Sequence, residues 1–67
     1  MRYEFVLAEP LPPAVAAAFP ELTASTTASG RGTVLYGPIT DRAHLHGLLD
    51  RFHAYGLTVL EMRQLPD

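Results

Sequence analysis

Residues 41–65 read "DRAHLHGLLDRFHAYGLTVLEMRQL", and the periodicity of this stretch changes once, at Gly56. Before the glycine, Leu45, Leu48, Leu49 and Phe52 recur at i, i+3, i+4 and i+7, the apolar stripe of an amphipathic helix. Thr40 or Asp41 is placed to cap the first turn, and Asp41 also suits the positive end of the helix dipole. Gly56 stands where a helix can stop in a left-handed conformation at little cost. Beyond it, "LTVLEMRQL" (57–65) is predicted as the last strand. A helix that runs straight into a strand is the second half of a β-α-β unit. The rest of the chain has to supply the first half.

Working outward, "RYEFVLAE" (2–9) alternates Tyr3, Phe5 and Leu7 with Arg2, Glu4 and Val6, the period of a strand. "PLPP" (10–13) stops it, because proline cannot donate to a sheet ladder. Pro13 can open a helix, and Leu11, Val15 and Phe19 follow at i, i+4 spacing; Pro20 ends it after about two turns. "ELTASTTAS" (21–29) alternates weakly and is rich in serine and threonine, which predicts a half-exposed edge strand. "GRG" (30–32) is read as a turn, and "TVLYGPI" (33–39) as an apolar strand interrupted at Gly37 and Pro38. The Gly-x-Gly joins strand to strand and opens no helix, so the N–H groups and dipole that hold a phosphate are missing.

The element order is therefore β-α-β-β-α-β, within one domain spanning 1–67. Two right-handed crossovers sharing one sheet give an α+β fold, the ferredoxin-like sandwich. In it a four-stranded antiparallel sheet of order 4-1-3-2 carries two helices on one face. The first and third strands, the most apolar, would be central.

Composition narrows the function classes. At 67 residues and without cysteine, the chain has neither a disulfide framework nor a thiolate metal site. Its stability must come from one small core, which a partner chain could extend. With 48% apolar and 18% charged residues it has the composition of a globular protein. A net charge of −2 spread along the chain offers no basic stripe for nucleic acid. No apolar run approaches the roughly 20 residues of a membrane helix, and residues 1–20 lack a signal-peptide pattern. The expectation is a cytoplasmic protein with no nucleic-acid or membrane partner. All five cationic residues are arginine, and lysine and asparagine are absent, a bias that fits a GC-rich genome such as an actinobacterium's.

"LHGLLDRFHAYGLTVLEMRQLP" (45–66), with "RYEF" (2–5) and "AFPEL" (18–22), resembles a group of short, functionally uncharacterised actinobacterial proteins of ferredoxin-like pattern. The shared features are structural: a leucine stripe, a glycine stop and a final strand. The resemblance implies a fold and no activity. The element order is also similar to that of ACT domains, which bind amino acids at subunit interfaces. "EPLPP" (9–13) stands where that pattern has a glycine-bearing loop, which argues against amino-acid sensing.

All three histidines fall within "HLHGLLDRFH" (44–53). His46, Asp50 and His53 share one flank of the helix at i, i+4 and i+7, while His44 lies on the other flank. Ligands at i and i+4 are a plausible pair for zinc, copper or nickel, metals that imidazole suits, but a third ligand at i+7 is hard to bring to the same ion on a straight helix. The simpler reading is a solvated face on which Asp50 hydrogen-bonds a neighbouring histidine. Acid–base catalysis needs a histidine held in a pocket by a second group. No triad or paired-carboxylate pattern locates one; Glu4, Glu61 and Arg63 read as solvated strand positions, and Tyr3, Tyr36 and Tyr55 as core or interface rim. Opposite the leucine stripe, Ala43, Gly47 and Ala54 form a strip of small residues, which either lets a partner approach closely or reflects an alanine-rich composition.

No residue is assigned a catalytic, cofactor-binding or metal-binding role, and no cofactor is expected. The expectation is a non-catalytic interaction or regulatory module that self-associates as a homodimer through its open sheet face. The alternative is a small ligand-handling enzyme of ferredoxin-like dimer type, a cofactor-free oxygenase or isomerase, or a histidine-based metal binder. With Phe5 and Leu7 facing the helices, at least some of Val6, Ala8, Val34, Leu35, Tyr36, Leu60 and Met62 must face outward. Phe52, in the middle of the stripe, should be buried.

Overall fold

A computed structural model describes residues 1–25 and 32–66. Arg2–Leu7 form β1, Pro13–Ala16 α1, Thr23–Ala24 β2, Thr33–Pro38 β3, Arg42–Ala54 α2 and Val59–Leu65 β4. All neighbouring strands are antiparallel, so the fold is α+β with one four-stranded antiparallel sheet and two helices. The strands lie in the order β2-β3-β1-β4. Counted from the β4 edge, the same neighbours run β4-β1-β3-β2.

Register decides which side chains meet the helices, because directly opposed residues share a face. Phe5 lies opposite Leu35 on β3 and Met62 on β4. Phe5, Leu7 and Leu35 are buried with Ile39, Phe19 and the α2 residues Leu45, Leu48 and Phe52. Leu11, Val15 and Ala18 from the α1 region, together with Leu49, pack against this cluster. Phe52 is fully buried; its ring meets Phe5 edge-on at 5.2 Å between centroids and stacks on Phe19 at 4.8 Å.

The second helix follows its sequence signals closely. Asp41 is the N-cap, its carboxylate accepting from the His44 N–H at 2.9 Å. At the other end Gly56 takes φ +73°, the Gly56 N–H donates to the His53 carbonyl, and the Leu57 N–H donates to that of Phe52. That pair of bonds is a Schellman stop, so Leu57 and Thr58 belong to the turn and β4 starts only at Val59.

The first half of the chain departs more from expectation. The helix α1 has four residues, not two turns. Its N-cap position is Pro12, which has no side-chain acceptor to offer, and Pro20 closes the other side. From Val15 onward, bonds such as Ala18 N–H to the Val15 carbonyl tighten the chain into turns. Within 21–29 only Thr23–Ala24 is strand among the described residues; positions 26–29 of the expected strand, and Gly30 and Arg31 of the expected turn, lie outside them. Gly37 and Pro38 do not interrupt β3, since both stay in register with β1. A Cβ on Gly37 would stand 2.5 Å from the Glu21 carbonyl oxygen, so the backbone at 21–22 crosses the sheet directly over this glycine.

Two residues expected among the outward-facing candidates face inward instead. Leu35, opposite Phe5, is only 3% exposed. Met62 is also opposite Phe5 and so lies on the helix side, yet it is 41% exposed because β4 is an edge strand beyond the reach of the helices. Leu60 is left over in the ladder, since Val6 pairs with Glu61 and Leu7 with Val59. This β-bulge leaves Leu60 65% exposed. The outer side of the sheet therefore presents Val6, Val34 and Tyr36, half-buried, among Arg2, Glu4, Glu61 and Arg63.

Candidate functional site

The densest polar constellation among the described residues ties α2 to the segment after α1, at Glu21. Arg51 projects from the last turn of α2 and donates to the Ala18 carbonyl at 2.9 Å and to Glu21 Oε2 at 2.5 Å. Its guanidinium also lies 5.3 Å from the Phe19 ring centroid, in cation–π range. His44, from the first turn, reaches the same oxygen from the other side, with Nε2 at 3.2 Å. The Arg51 hydrogen bond is the largest of the influences that draw the Glu21 carboxyl down to about 2, against the opposing effect of burial. The other oxygen, Oε1, is buried with no hydrogen-bond partner among the described residues.

This arrangement is not set up for acid–base catalysis. The Thr40 N–H donates to His44 Nδ1 at 3.0 Å, which places the proton of a neutral ring on Nε2, directed at Glu21. Both ring nitrogens are thus committed within the protein, and neither is free to take a proton from a substrate. The groups that hold His44 do so for a structural reason: they fasten the start of α2 to the chain leaving α1.

His46, Asp50 and His53 take no part in it. All three are exposed, and Asp50 makes no hydrogen bond to either histidine. Among the described residues, no three histidine, aspartate or glutamate side chains come together in a way that could hold a metal ion. A depression of about 460 Å³, open to solvent, is lined by Met1, Tyr3, Thr40, Asp41, Arg42 and Leu45, and no histidine borders it. Tyr3 stacks on Phe5 at 6.3 Å and Tyr55 meets Phe19 edge-on at 5.8 Å, so two of the tyrosines extend the aromatic core.

Two acidic residues clip the β1 side of the chain to the β4 side. Glu4 pairs with Arg63 across β1 and β4 at 2.8 Å, an exposed cross-strand ion pair. Glu9 accepts from the Thr58 N–H and from the Thr58 hydroxyl, both at 2.7 Å, and these bonds lower its pKa. Glu9, Glu21 and Arg51 went unnoticed in the sequence. Their side-chain partners lie 23 to 49 positions away, and no local periodicity marks such pairs.

None of the described helices is long and apolar enough to cross a membrane. No curated protein and no solved structure matches the chain. The sequence model of a family described as "Domain of unknown function (DUF8691)" matches residues 2–63, so the chain belongs to that family.

Proposed function

We propose that this member of the DUF8691 family is a small non-catalytic interaction module, cytoplasmic and self-associating through its sheet. One observation carries the reading. The sheet has helices on a single face, and Val6, Val34 and Tyr36 on the other side neither join the core nor pack against it. A core of eight buried side chains in the described chain is small, and a second copy laid against the sheet would enlarge it. The commitment of both His44 nitrogens supports a binding role over a catalytic one. The antiparallel order and the β-α-β-β-α-β sequence of elements support a ferredoxin-like sandwich with a shortened first helix. The arginine-only cation content and the resemblance to short actinobacterial proteins support an origin of that kind.

Light scattering at micromolar concentration tests the reading. The expected mass is that of two chains. A single-chain mass at every concentration up to the millimolar range overturns self-association, and with it the module.

A further inference from the structure

The two edges of the sheet are unequal. On one side β2 offers two described residues; on the other β4 offers seven, and no described strand pairs with its outer edge. An open edge of this length is a template for a further strand. Among the described residues four large apolar side chains are markedly exposed, and two of them, Leu60 and Met62, lie on β4.

The charges of "VLEMRQL" (59–65) select the occupant. In an antiparallel pair of identical strands around a two-fold axis normal to the sheet, residue numbers in each opposed pair add to a constant even value. An axis through Glu61 would place Glu61 against its own copy, and one through Arg63 would oppose two arginines. An axis through Met62 sets Met62 against Met62 and Glu61 against Arg63 twice over, and the bulge at Leu60 ends the regular pairing on either side. Opposite charges across a strand pair stabilise it and like charges oppose it. Arg63 is already held in the sheet by Glu4 at 2.8 Å, so its copy-facing side would complete a row Glu4–Arg63–Glu61 running from one chain into the next.

We infer that two copies join edge to edge along β4, with Met62 on the two-fold axis, into one eight-stranded antiparallel sheet. Both helix layers then lie on the same side, and the exposed Met62 side chains cover one another. The inference rests on the self-association proposed above and moves the contact from the open face to the edge.

Because the chain has no cysteine, Met62→Cys gives a clean reading of the register. Opposed residues in antiparallel strands have Cα atoms about 4.5–5.5 Å apart, within disulfide range. Met62→Cys should cross-link to a dimer under mild oxidation at micromolar concentration. Glu61→Cys and Arg63→Cys, whose copies would stand roughly 8 Å apart, should cross-link at least about tenfold more slowly. In a second arm, Glu61→Arg and Arg63→Glu should each dimerise at least about tenfold more weakly alone, and recover as an equimolar mixture in which every charge meets its opposite. Fastest cross-linking at Glu61→Cys or Arg63→Cys overturns the register. A wild-type dimer that Val34→Glu disrupts, while Met62→Cys stays uncross-linked, overturns the edge contact and leaves face-to-face association standing. A wild-type monomer overturns both.

Discussion

Arg51 acts on three groups of one short segment: the Ala18 carbonyl, the Phe19 ring and the Glu21 carboxylate. A planar fork that also stacks suits this combination, and lysine cannot reproduce it. Arg51→Lys should therefore destabilise the protein by roughly 1–2 kcal/mol and Arg51→Ala by roughly 2–3 kcal/mol in urea unfolding. The same contact sets an acid limit. Glu21 titrates near 2 when folded against a usual 4.5, so its stabilising contribution is complete above about pH 4.5 and is lost as the pH falls from there towards 2. Glu9, also lowered, adds to the loss in the same direction. Unfolding free energy measured between pH 6 and 2.5 should fall, and the fall should be shallower in Arg51→Lys; equal slopes would remove Glu21 from the explanation. None of this could be read from the sequence, where Arg51 is one more cation at a helix C-terminus and Glu21 follows a proline.

At the level of elements, legibility tracked how local the determining contacts are. The second helix was legible because its cap, stripe and stop all lie within residues 41–57 and act together. The first was over-extended because the apolar spacing of Leu11, Val15 and Phe19 is genuine, and all three do touch the core. Only Val15 reaches it from the helix; Leu11 and Phe19 flank it, since the prolines on both sides leave room for only four helical residues. For the strands, alternation sets the faces of β1, but only the register separates the inward Leu35 from the outward Val34. Phe52 joins the elements physically, contacting Phe5 of β1 and Phe19 beyond α1. Phe52→Ala should cost roughly 3–5 kcal/mol, read as loss of cooperative thermal unfolding or a midpoint lowered by well over ten degrees. A variant that melts within a few degrees of the wild type would contradict its place in the core. For the candidate site, the histidine cluster was visible in the sequence, but only His44 proved to be engaged.

For the molecule as a whole, the decisive feature is that β1 sits in the interior of the sheet while both strands that flank it come much later in the chain. Arg2 pairs with Pro38 on one side and with Leu65 on the other, and the Glu4–Arg63 bridge closes a separation of 59 positions. Closing such long loops has to precede most of the reward for doing so, which slows folding relative to a chain of local contacts. As the polypeptide emerges from a ribosome, β1 is therefore exposed first and satisfied last. Until residues 59–65 have appeared one edge of it stays unpaired, open to whatever nascent chain or chaperone is nearest, and a message cut short before that point would yield a product without a finished sheet.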